Sequence, residues 1–113
     1  MITIDSLKKY GADVNDGLTR CMNNESFYLM LVGKVLADKR LEQLEEQLGN
    51  KDYNGAFESA HALKGMYSNL SLTPLTKPIS EMTELLRNRT DTDYSELLKE
   101  TKTQFETLKA LSV

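Results

Sequence analysis

From residue 53 onward the apolar side chains recur every three or four positions, and no stretch alternates apolar with polar. Ala56, Ala60, Leu63, Tyr67 and Leu70 follow this period, as do Tyr94, Leu98, Thr101, Phe105 and Leu108. At 100° per residue such positions gather on one helix face, whereas a strand needs a period of two. The chain is therefore expected to be all-α. With 113 residues it has the length of one domain, and 40% apolar residues can fill one core.

Turn and cap residues divide the chain into helices. Residues 3–10 read as a short helix or arm ended by Gly11, and Asn15 can cap a brief helix carrying Gly17 to Met22. Asn23 or Asn24 caps a helix at about 25–37, with Glu25 favourable to its dipole. That helix is apolar around much of its girth (Phe27 to Val32, Val35, Leu36), so it is either deeply buried or offers apolar surface to a partner. Leu41, Leu44 and Leu48 share one face of the next helix, ended by Gly49-Asn50. Asp52 caps a helix over 53–70. Pro74 and Pro78 predict a loose first turn and a regular helix only after Pro78. Asp91 or Thr92 caps the last helix. The four long amphipathic segments (about 39–49, 52–70, 77–88 and 92–111) would satisfy their stripes as an antiparallel four-helix bundle. A single domain over 1–113 is expected, with 38–111 forming the bundle and 1–37 covering it.

Composition excludes several functions. The net charge of −3, without a basic cluster, argues against nucleic acid. No apolar run is long enough to span a bilayer, and no signal-peptide pattern follows Met1. Cys21 is the only cysteine, which suits a reducing cytoplasm and reads as a packed, inert thiol. One histidine and one cysteine cannot build a usual zinc site, and no glycine-rich phosphate loop or nucleophile elbow is present.

The one histidine, His61, lies in Ala60-His61-Ala62-Leu63-Lys64-Gly65, in the middle of the 53–70 helix. Taking His61 as the zero of angle, Leu63 and Leu70 lie opposite, while Lys64, Gly65 and Ser68 lie within about 60° of it. The imidazole is therefore expected on the face away from the core, with an ammonium one turn on. Gly65 in mid-helix costs ~1 kcal/mol relative to alanine, so it calls for a reason. Clearance beside His61 is one, and close helix packing is another. Phe57 and Leu72 are expected near the same face, giving it a partly apolar, docking character. Glu58 could orient the ring or stand as an exposed glutamate. Ser68 and Asn69 could contact a phosphoryl group or merely satisfy the helix end.

The run from Ala60 to Gly65, followed by Asn69-Leu70, resembles the signature of histidine-containing phosphotransfer (HPt) domains. Gly17 to Met22 and Phe27-Tyr28 with Leu31 resemble their lead-in helices, so the likeness covers about residues 11–87. The resemblance implies a phosphorelay carrier. His61 would accept a phosphoryl group from one response-regulator receiver domain and pass it to the aspartate of another. Lys64 would stabilise its charge and Gly65 would admit the receiver. Phe57, Glu58, Met66, Ser68 and Leu72 would touch the partner. It implies no cofactor on this chain, the Mg²⁺ belonging to the receiver, and a histidine kinase or hybrid kinase upstream. A cytoplasmic, free-standing monomer is expected. Two departures stand out: Ser71 occupies the place of a common glycine, and Met66-Tyr67 replaces small residues. Alternatives are a degenerate adaptor that binds a receiver without carrying phosphate, or the phosphoacceptor domain of a larger kinase.

Overall fold

The computed structural model describes residues 1–112, and among these every regular element is helical. In chain order they are α1 (Ile4–Tyr10), α2 (Val14–Arg20), α3 (Glu25–Ala37), α4 (Arg40–Gly49), α5 (Tyr53–Asn69), α6 (Thr73–Arg87) and α7 (Ser95–Ala110). They form a helical bundle in which α5 packs between α4 and α6, and α6 packs on α7. The short helices continue the core: α1 meets α2 and α7, and α3 meets α2 and α7. No helix of the described residues is long and apolar enough to cross a membrane.

Local chemistry sets most boundaries. Asn24 accepts from the Phe27 amide at 3.0 Å to start α3, and Asp52 accepts from the Gly55 amide at 3.0 Å to start α5. Three starts differ from expectation. Asp13, not Asn15, caps α2 by accepting from the Asp16 amide, and Asn15 lies inside the helix. The last helix begins at Ser95 rather than after Asp91 or Thr92. There the Asp93 carboxylate accepts from the Ser95 amide at 2.9 Å, and Tyr94 is buried against Tyr53 with ring centroids 6.0 Å apart. In α6 no break occurs at Pro78: the helix runs from Thr73 straight through it. Proline removes the amide that would bond the Pro74 carbonyl and crowds that carbonyl. Burial of Leu75, Pro78, Ile79 and Met82 on one face offsets that cost.

The core runs continuously from Leu7 and Val14 through Tyr28 and Val32 to Leu44, Leu63, Ile79, Leu86 and Leu108. Tyr28 locks the N-terminal helices to the end of α5. Its ring lies where a Cβ on Gly17 would be only 2.6 Å away, and its hydroxyl donates to the Leu70 carbonyl at 2.8 Å. Cys21 is buried, in keeping with a packed thiol. Tyr67 falls in the core, as its place on the stripe requires; burial pushes its hydroxyl above the ordinary range, and that hydroxyl makes no hydrogen bond among the described residues. Helix α3 buries Tyr28, Val32 and Val35 but leaves Phe27 and Met30 exposed, so the apolar girth is only partly covered.

Ser71 takes the left-handed conformation (φ 54°) that ends α5, and the Leu72 amide reaches back to the Tyr67 carbonyl at 3.0 Å. A serine strained there is compensated by tertiary bonds. Its carbonyl accepts from the Asp13 amide at 2.9 Å, and its hydroxyl donates to the Asp16 carboxylate. This turn also redirects the chain, so Leu72 points into the core and is fully buried. The expectation that Leu72 would face a partner beside His61 is corrected accordingly.

Two outcomes follow from this turn. Leu72→Ala should destabilise the fold by roughly 2–5 kcal/mol in urea unfolding, as a deeply buried truncation does. The Asp16 carboxyl is held below its ordinary value of 3.8, first by the Ser71 hydroxyl and then by Arg20. Its contribution is present above that ordinary value and is lost as pH falls through the lower folded-state value. The stability gap between the wild type and Asp16→Asn should therefore close as acid unfolding is measured below pH 3.8.

Candidate functional site

Helix α5 has two faces with different duties. Ala56, Ser59, Ala60, Leu63 and Tyr67 are buried against its neighbours. His61 and Gly65 are exposed on the other side, with Lys64 half-buried between them. The expected placement of the imidazole away from the core is what the structure has. A Cβ built on Gly65 meets no atom within 4 Å, so nothing inside the fold requires glycine there. Close packing within the chain is thereby removed as its reason, and open space beside His61 remains.

Lys64 does not stand alone. Its Nζ lies 3.7 Å from Glu84 Oε1 on α6, which is also 3.5 Å from Arg87 Nε. The groups are substantially solvated, so these pairs add little to stability, on the order of 0–1 kcal/mol each. What they do is hold cationic side chains around one face. Phe57, one turn before His61, stacks on the imidazole with rings 8° from parallel and centroids 5.6 Å apart. The guanidinium carbons of Arg87 and Arg89 lie over the same phenyl ring at 5.2 and 5.7 Å. Arg89, left-handed at φ 53° just past α6, also donates from Nη1 to the Leu86 carbonyl at 2.9 Å.

The remaining expected residues are placed as follows. Glu58 is exposed, and no hydrogen bond joins it to His61 among the described residues. Ser68 is half-buried on the His61 side near the end of α5, and its carbonyl accepts from the Ser71 amide at 3.0 Å. Met66 is half-buried; Arg40 donates from Nη1 to its sulfur at 3.5 Å, and it borders a shallow groove with Leu31, Lys34 and Asn69. Leu72 is absent from this surface.

Arg87, Arg89 and Glu84 belong to the site and escaped the sequence reading. They lie more than twenty positions from His61, and only the packing of α6 along α5 brings them there. The alternation Arg87-Asn88-Arg89 at a helix end was the available signal, but it shows no partner by itself. Among the described residues, no group of three or more His, Cys, Asp and Glu is gathered that could hold a metal ion.

Chemically, the arrangement offers an accessible imidazole, a cationic surround suited to a dianion, and bare backbone where a partner can approach. No curated protein and no solved structure matches the chain. The family model of the Hpt domain matches residues 34–111, from within α3 to the end of the bundle, with His61 inside the match. The chain thus belongs to the Hpt domain family, whose members serve phosphotransfer in two-component signalling between kinases and response regulators.

Proposed function

We propose that the chain is a phosphorelay carrier with His61 as its phosphoacceptor. The observation that carries this reading is the exposed imidazole on a rigid helix, flanked by Lys64 and by a glycine the fold itself does not need. In the forward step a lone pair on one ring nitrogen attacks the phosphorus of an aspartyl phosphate on a receiver domain. The N–P bond forms as the P–O bond breaks, and that bond's electrons return to the receiver's carboxylate. The proton on the other ring nitrogen stays or leaves to solvent. In the onward step a carboxylate of a second receiver attacks the same phosphorus and the N–P electron pair returns to the ring. Such a transfer needs positioning and charge compensation more than covalent help from the carrier. Lys64 supplies charge at the phosphoryl group, and Gly65 leaves the receiver room to close on the ring. Phe57, Glu58, Met66 and Ser68 form the docking rim. Mg²⁺ would come with the receiver.

The same reading makes α4–α7 an antiparallel four-helix bundle. Its support is the packing of consecutive helices across short turns and the 2.8 Å ion pair between Glu45 on α4 and Lys102 on α7. Residues 1–113 would be one domain, with 1–37 covering the bundle flank. A cytoplasmic monomer, charged through a histidine kinase or hybrid kinase pathway, fits a carrier of this kind.

Two outcomes test the reading. A His61→Gln chain that keeps its helical circular dichroism should take no phosphate from a receiver charged with acetyl phosphate, whereas the wild type gains one acid-labile phosphoryl mass. Equal gain by both would overturn the assignment, and binding without any gain would favour the adaptor. Gly65→Ala should raise stability by about 0.5–1 kcal/mol in denaturant while slowing transfer, because it fills space the partner needs.

A further inference from the structure

Phe57 carries more than a place on a docking rim. It is four residues before His61 on α5, which puts the two rings on the same helix face one turn apart. The near-parallel rings, 8° apart at 5.6 Å, have the offset-stacked geometry that aromatic pairs prefer. The phenyl ring is itself held. Arg87 and Arg89 reach it at 5.2 and 5.7 Å, in the range of cation–π attraction. Both arginines are anchored in turn, Arg87 to Glu84 at 3.5 Å and Arg89 to the Leu86 carbonyl at 2.9 Å. Glu84 also meets Lys64 at 3.7 Å, one turn after His61. The contacts therefore run from His61 through Phe57, Arg87 and Glu84 back to Lys64, which neighbours His61 on the helix.

An imidazole on a solvent-facing helix turns freely about χ2 unless something holds it. A nucleophilic ring nitrogen acts in the plane of the ring, so the ring's orientation decides where its lone pair points. We propose that Phe57, held by Arg87 and Arg89, is a positioning residue that fixes the His61 ring plane and aims its nitrogen edge outward at the incoming phosphorus. Stacking covers part of one face of the ring and leaves the edge free. This rests on the carrier reading above, and it adds a role that docking alone does not demand of Phe57.

The test compares the wild type with Phe57→Leu and Phe57→Tyr, using an acetyl-phosphate-charged receiver domain that transfers to the wild-type chain. Phe57→Leu should lower the transfer rate at saturating receiver by about tenfold, with the half-saturating receiver concentration nearly unchanged. Its His61 ring proton signals should also move as the ring current of the neighbour is lost. Phe57→Tyr keeps a six-membered ring and should restore both. Should Phe57→Leu fail to fold, Arg87→Gln with Arg89→Gln changes only exposed side chains and should move the same signals, slowing transfer about two- to fivefold. Unchanged rate and unchanged ring signals would overturn the positioning role, as would a defect confined to receiver affinity. Equal transfer by wild type and Phe57→Leu defeats this inference alone. A wild-type chain that no receiver charges defeats the carrier reading and the role built on it.

Discussion

Everything about this molecule depends on α5 burying one stripe completely while leaving the opposite one bare. The buried stripe is built from small residues early and large ones late, with Ala56 and Ala60 followed by Leu63 and Tyr67. The stripe lies in a helix packed between α4 and α6, where small side chains permit close approach and larger ones fill more volume. A helix pinned in this way cannot rotate about its axis without exposing that stripe. The backbone that carries His61 and Gly65 on the other face is therefore held in place by the buried stripe. Under the proposed carrier function the chain would gain most from such placement, because its contribution would be geometric.

Around that face the charge runs opposite to the chain as a whole. The net charge is −3, yet Lys64, Arg87 and Arg89 converge near His61. Glu84 sits among them and shares its carboxylate between Lys64 and Arg87. Under the proposed function, Lys64 and Arg87 could exchange this shared carboxylate for an arriving phosphoryl dianion. Solvated pairs of this kind cost little to rearrange. The apolar exposure of Phe27 and Met30 on α3 lies apart from this network.

Much of this was legible in the sequence, for physical reasons that differ residue by residue. The start of α5 could be read because Asp52 is a side-chain acceptor at the right distance from an apolar run, whereas for α3 the sequence offered Asn23 or Asn24 and the structure uses Asn24. The outward face of His61 could be read because periodicity holds within one uninterrupted helix. Leu72 was misplaced because the helical angle was extended past Ser71, where the left-handed residue turns the chain inward. The start of α7 was misread because Asp91, Thr92 and Asp93 are competing acceptors, and burial of Tyr94 decides among them. Helix α6 survives Pro78 because tertiary burial overrides a local penalty that a linear reading takes at full value. Arg87 and Arg89 were out of reach, since inter-helix register is a property of packing and not of spacing.

The central claim is that phosphate enters and leaves this chain on one imidazole. The sequence holds a single histidine, so selective ¹⁵N labelling of histidine yields the two ring nitrogens of His61 and nothing else. The decisive measurement is their NMR spectrum before and after incubation with a phosphorylated receiver domain. The account predicts that one ring nitrogen shifts and acquires coupling to ³¹P, and that an uncharged receiver with a free aspartate reverses both. A chain that gains phosphate while both ring nitrogens stay unchanged would place the acceptor elsewhere and contradict the account.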